Sequence, residues 1–133
     1  MAVAADFIAR TSAETIAGPS AHLAIVETGS DRAIGSISRH GPVEHRAMIG
    51  YWLAPAARGR GLASRAVRII AGWSLETTEV IRLEIFTEPD NEASGAVATR
   101  SGFEFEGMRR AWLLDRDGHP LDCPFYVMVR PGA

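Results

Sequence analysis

The hydrophobic period of this chain changes abruptly near its middle, and that change limits the fold more than any other feature. Between His22 and Ala54-Pro55 the apolar residues come in short, strand-like runs. From Gly59 to about Leu75 they fall at three- and four-residue steps instead. Leu62, Ala66, Ile69, Ile70 and Trp73 form one stripe of an amphipathic helix. Between the two regimes stands Arg58-Gly59-Arg60-Gly61-Leu62-Ala63. The first backbone N–H groups of a helix have no internal partner, and with the helix dipole they form an anion site. Gly59 and Gly61 keep β-carbons away from a bound phosphate, Ala63 keeps the first turn small, and Arg58 and Arg60 can add charge-assisted bonds. The ligand predicted from these residues alone is a phosphate or pyrophosphate; a flexible turn without a ligand is the alternative they leave open. The run does not end in Gly-Lys-Ser/Thr, so it is no P-loop. Ser64 stands where a dinucleotide fingerprint would place its third glycine.

Around this junction the punctuation is regular. Val3–Ala17 reads as a helix ended by Gly18-Pro19. His22–Glu27 and Ala33–His40 read as hairpin partners across the turn cluster Thr28–Asp31, and Gly41-Pro42 breaks the chain before a longer strand over Glu44–Leu53. After the central helix, Ile81–Phe86 reads as a strand and Glu92–Arg100 as a helix capped by Asp90 or Asn91 and closed by Ser101-Gly102. Phe103–Leu114 and Phe125–Arg130 read as strands around the turn-rich Asp115–Pro120. The order α, three β, α, β, α, two β predicts a mixed α/β sheet with helices packed on its faces.

Composition removes several function classes. The 133 residues fit one domain, and 47% hydrophobic against 23% charged residues is a globular balance. A formal charge of −2 gives no basic field for nucleic acid. Arg65 and Arg68 fit a solvated helix face, and no aromatics interleave with the arginines as stacking sites. Cys123 is the only cysteine, so no intrachain disulfide forms, which suits a reducing compartment. Met1–Arg10 has no leader pattern, and no apolar stretch approaches the roughly 18 residues of a membrane span. A soluble cytoplasmic protein is therefore expected, without nucleic-acid or membrane partners. His22, His40 and His119 show no metal spacing with a second ligand, so no metal is expected. Cys123 is expected to be a packing residue.

A longer pattern encloses the glycine turn. Ile49-Gly50-Tyr51-Trp52-Leu53-Ala54-Pro55 precedes it; Arg82-Leu83-Glu84-Ile85, Pro89-Asp90-Asn91, Ser94 and Ser101-Gly102-Phe103 follow. In order and spacing, Ile49–Phe103 resembles the GNAT acyltransferase superfamily, and within it the Rim-like N-acetyltransferases. The resemblance implies acetyl-coenzyme A as acyl donor and a primary amine, at a protein N-terminus or on a small molecule, as acceptor, in a ternary complex. It implies that Arg58, Gly59, Arg60, Gly61, Leu62 and Ala63 hold the pyrophosphate. Tyr51, Trp52 and Leu53 would hydrogen-bond the pantetheine arm like an added strand, in a sheet splayed between that strand and Ile81–Phe86. Asn91 would bond the coenzyme and Ser94 would lie near its sulfur; a plain N-cap and a small packing residue are the alternatives for these two.

Three departures accompany the resemblance. Ala98 replaces the tyrosine acid common in the family, which makes Ser94 the candidate donor to the thiolate. Met48 replaces the glutamate common before Ile-Gly-Tyr, which leaves Glu44 and His45 as candidate bases, against the alternative that both are solvated strand residues. A strand and helix ahead of Val3–Ala17 are missing, so that the start lies upstream or the domain is naturally short. An unpaired edge at His22–Glu27 would then invite a homodimer. The substitutions also raise a second reading, a coenzyme A-binding sensor or regulatory module with impaired catalysis.

Overall fold

The computed structural model of the protein describes residues 20–27, 29 and 32–133. The helix expected over Val3–Ala17 lies outside them, as do Thr28, Ser30 and Asp31 of the first turn. Strands β1 (Ala21–Val26), β2 (Ala33–Val43) and β3 (Arg46–Leu53) come first. A 3-10 turn at Pro55–Ala57 leads into helix α1 (Leu62–Thr77). Then follow β4 (Arg82–Phe86), α2 (Glu92–Arg100), β5 (Glu104–Leu114) and β6 (Pro120–Val129). The sheet order is β1-β2-β3-β4-β6-β5. Only the β3–β4 pair is parallel, as a strand–helix–strand crossover requires.

Both described helices pack on one face of the sheet. Arg39 and Tyr51 point to the same side, because Arg39 pairs with Ile49 and Tyr51 stands two residues further along β3. Arg39 reaches Trp73 and Ser74 of α1, and Tyr51 reaches Ser94 of α2. Leu23, Ile25, Ile37, Ile49, Leu83 and Ile85 bury this face against Leu62, Ala66, Val67, Ile70 and Leu75. Of the stripe read from sequence, Ile69 and Trp73 turn out to be flanking, partly buried residues. Trp73 lies under the guanidinium of Arg39, whose carbon is 4.8 Å from the ring centroid. Arg39 is itself buried in the sheet, and burial lowers its pKa.

The element ends move in two places. β2 runs through Gly41-Pro42 to Val43, and the turn falls on Glu44 and His45, so β3 starts at Arg46. Glu44 and His45 are therefore turn residues and not part of the strand. Proline is tolerated there because the β2–β3 register shifts between His40 and Val43. β6 likewise begins at Pro120 and passes through Pro124, beside a β5 whose register shifts twice. At the other end of the sheet β1 pairs with β2, and no strand covers its outer edge among the described residues.

The exit of α1 is held by a residue from the far end of the chain. Arg130 donates through Nε to the Leu75 carbonyl at 2.9 Å and through Nη2 to those of Thr78 and Val80. These carbonyls lie where a helix end has no partners of its own. Arg130→Ala is expected to destabilise the protein by about 2 kcal/mol, the scale of hydrogen bonds from a charged donor. Urea unfolding checks this; a midpoint unchanged from wild type would show that water serves those carbonyls equally well.

Candidate active site

The glycine turn joins the end of β3 to the start of α1. Gly59 (φ +80°) and Gly61 (φ +72°) both occupy the left-handed region, and Gly61 is the N-cap of α1. A β-carbon at either position would stand in open space. The backbone conformation, not a close neighbour, is therefore what demands glycine in the free protein. No side chain caps α1 and no acidic residue sits in its first turn. The N–H groups of Leu62, Ala63 and Ser64 thus end the helix uncapped. Beside them the Ser64 hydroxyl is buried without a hydrogen-bond partner. A buried donor left open at a helix N-terminus suits an anion that brings its own acceptors.

These groups line a cavity of about 580 Å³ bounded by Tyr51–Leu53, the glycine turn and one side of α2. Arg58 borders it, with Nε donating to the Leu53 carbonyl at 3.1 Å, which ties the turn to the strand end. Arg60 does not border it. Its guanidinium lies 3.9 Å from Glu27 at the end of β1, so the expected second charge points elsewhere. Ser64 and Arg100 border the cavity and were not singled out in the sequence. Arg100 continues the three-residue steps Ser94, Val97, Arg100 along α2, a spacing that could have found it.

The sheet opens where the resemblance implies. Parallel pairing of β3 with β4 covers Arg46–Met48 against Arg82–Glu84 and then stops. From Ile49 onward β3 keeps β2 on one side, while its other edge faces a gap. Tyr51 spans that gap on the helix side. Its hydroxyl donates to the Ser94 carbonyl at 2.9 Å and lies 2.7 Å from Ser94 Oγ. Burial pushes the Tyr51 phenol above its usual pKa, against the opposite pull of the Ser94 hydrogen bond. Asn91 caps α2, its Oδ1 accepting from the Ser94 N–H at 3.1 Å, and still faces the cavity with its amide donors. A β-carbon at Gly95 would come within 2.6 Å of the Tyr126 hydroxyl, so glycine lets α2 lie close to β6.

On the opposite face a larger cavity, about 800 Å³, lies along the paired stretch of β3 and β4. Met48, His40 and His45 border it from β2, β3 and their turn, and Trp112 from β5. Its floor is an ion network. Glu84, buried, accepts from Arg82 at 2.9 Å and Arg109 at 3.0 Å through one oxygen, and Arg82 also binds Glu106. Arg82 holds the Glu106 carboxyl below the usual range, while Glu106 chiefly raises the pKa of Arg82. Both carboxylates are committed to arginines. Glu44 sits exposed at the hairpin tip, 3.8 Å from Arg46. Cys123 is buried, and burial raises its thiol pKa, as suits a packing residue. Near the β5–β6 turn, Asp115 and Asp117 stand with His119 in one exposed group. Asp115 there accepts from the N–H groups of residues 117 and 119, which orders the turn. No described helix is long and apolar enough to cross a membrane.

Known proteins share this arrangement. The Bacillus subtilis (strain 168) protein YdaF is 35% identical over 98 residues, covering 72% of this chain and 53% of YdaF. The ribosomal-protein-serine acetyltransferase of Escherichia coli (strain K12) is 38% identical over 88 residues, covering 64% and 49%. The chain thus spans about half the length of the curated relatives it matches. Among solved structures, RimL, a ribosomal L7/L12 alpha-N-protein acetyltransferase in complex with coenzyme A, superposes with a TM-score of 0.77 at 25% identity, covering 87% of this chain and 65% of RimL. Residues 1–104 match the family described as acetyltransferase (GNAT) domain, well over half of the chain, and with the parted β3–β4 pair and the glycine turn in their expected places the protein belongs to the GNAT acetyltransferase family.

Proposed function

We propose that the protein transfers an acetyl group from acetyl-coenzyme A to a primary amine, with a protein N-terminus as the favoured acceptor. The observation that carries the donor half is the uncapped start of α1 beside the buried, unpartnered Ser64 hydroxyl. The N–H groups of Leu62, Ala63 and Ser64, the Ser64 hydroxyl and the Arg58 and Arg100 guanidinium groups would hold the pyrophosphate and its neighbouring phosphate. The free edge of Tyr51–Leu53 would take the pantetheine arm, with Asn91 opposite. The named activities of the E. coli relative and of RimL support a protein amine as acceptor.

Coenzyme A supplies an acetyl group already activated as a thioester, so this chain's own residues position, polarise and exchange protons. The thioester would lie in the gap between β3 and β4, and an amine would approach it from the face opposite α1 and α2. Backbone N–H groups at the β3 edge are suited to stabilise developing oxyanion charge. Ser94 would donate to the departing sulfur. Tyr51, kept protonated by burial, gives its one proton to the Ser94 carbonyl, and its oxygen, 2.7 Å from Ser94 Oγ, holds the serine hydroxyl at the gap.

Substitutions at three positions test this reading. Gly61→Glu is expected to abolish coenzyme A binding by calorimetry, because a carboxylate would stand in the anion cradle; Gly61→Ala, which carries the same left-handed strain without the charge, should bind more tightly than Gly61→Glu. Ser64→Ala should weaken binding about tenfold, the scale of one hydrogen bond to a charged group. Ser94→Ala should lower kcat about a hundredfold, in the range of proton-transfer contributions, with little change in the KM for acetyl-coenzyme A. Thiol release against a panel of amines, including a serine-initiated peptide, provides the assay. Coenzyme A binding without turnover across that panel would favour the sensor reading.

A further inference from the structure

We infer that His40 is the general base that takes the proton from the acceptor amine. This inference rests on the acetyl-transfer reading above. His40 stands on β2 directly opposite Met48, the last β3 residue paired with β4 before the strands part. Its side chain shares with that of Met48 the face opposite α1 and α2, and residues directly opposite in an antiparallel pair have β-carbons about 5 Å apart. Both border the large cavity, and His40 is exposed to it. Met48 has no group that accepts a proton at neutral pH. The nearest carboxylates are spoken for: Glu84 binds two arginines, and Glu106 is held in its charged form by Arg82. His45 borders the cavity from the hairpin turn, three residues before Met48, or about 10 Å along the chain at strand rise.

A short relay fixes the imidazole. His40 Nε2 lies 3.0 Å from Ser38 Oγ, and Ser38 Oγ donates to the Gly50 carbonyl at 3.4 Å. The serine has a single proton; with that proton on Gly50, Nε2 must be the donor and Nδ1 the basic nitrogen. Gly50 itself lies on the free stretch of β3, so the relay ties the ring to the edge along which the acyl donor would lie. On its other side the ring meets His22 of β1 edge to face, with centroids 5.3 Å apart. The charged or titratable groups that share the cavity are His45, Arg46, Arg82, Glu84, Glu106 and Arg109.

An ammonium acceptor gives up two protons. One passes to His40 Nδ1, directly or through one water, and from there to solvent. As the N–C bond forms and the C–S bond breaks, the second reaches the sulfur. The products are the acetylated amine and the coenzyme A thiol, with one proton released.

The test combines NMR with kinetics on the full chain. Nitrogen-15 spectra of the imidazoles should show His40 as the Nε2–H tautomer; the Nδ1–H tautomer would overturn the assignment. With a serine-initiated peptide as acceptor, or any amine of the panel that turns over, kcat/KM should show an acid limb, falling as the pH is lowered. His40→Gln should remove that acid limb and lower the plateau about a hundredfold, with coenzyme A affinity and melting temperature unchanged. If the limb survives in His40→Gln, or is lost in His45→Gln instead, His40 is not the base. Binding of coenzyme A without turnover on any amine would overturn the base together with acetyl transfer; absence of coenzyme A binding would overturn the reading of the site itself.

Discussion

Everything in this molecule follows from the early end of one strand pair. β3 and β4 share only three registered residues each before they separate. A parallel pair inside a sheet normally continues, because each unpaired N–H and C=O costs free energy when it is cut off from water. Here β3 is held away at its far end. Arg58 grips the Leu53 carbonyl, and Tyr51 leans across to Ser94. β4 meanwhile keeps its ladder with β6 as far as Phe86 and Phe125. Each strand is satisfied on its outer side, and the peptide groups along the gap remain open for an extended ligand.

The gap also divides the chemistry between two faces. The helix face offers neutral donors: backbone N–H groups, Ser64, Ser94 and the Asn91 amide. It suits a negatively charged carrier. The face opposite α1 and α2 offers a cluster of paired charges, with the Arg109 guanidinium over the rings of Trp112 and Phe125. Buried Glu84 is the centre of a partly exposed network in which its carboxylate and that of Glu106 are already matched by arginines. Such a network fixes the β4–β5–β6 arrangement more than it serves as a proton acceptor. The His40 imidazole nearby has a different character: it is exposed, and one serine orients it.

Legibility in the sequence followed the range of the forces. The strand–turn–helix junction, the cap at Asn91 and the closure of α2 at Ser101-Gly102 are set by residues within a few positions of one another, and the structure has them within a residue or two. β2 ends at Val43, where the sequence suggests His40 because Gly41-Pro42 reads locally as a break, and β6 starts at Pro120, where the sequence suggests Phe125. Ladder irregularities supplied by the neighbouring strand make room for Pro42 and Pro124. Glu44 and His45 were placed on a strand for the same reason, and the hairpin moved them to its tip. Arg60, expected from the sequence to add charge at the anion site, lies in the free protein 3.9 Å from Glu27 at the end of β1.

The sequence by itself determined that a helix must begin at an uncapped glycine turn after a strand, because dihedral preferences and apolar spacing are local properties. It also carried the family pattern from Ile49 to Phe103. Only the tertiary structure decided which side chains meet: Tyr51 with Ser94 across 43 positions, Ser64 left without a partner at the helix mouth, and His40 beside the point where the sheet parts. Those encounters depend on strand register and on which face each residue presents, and both are fixed by long-range packing that no short window of sequence contains.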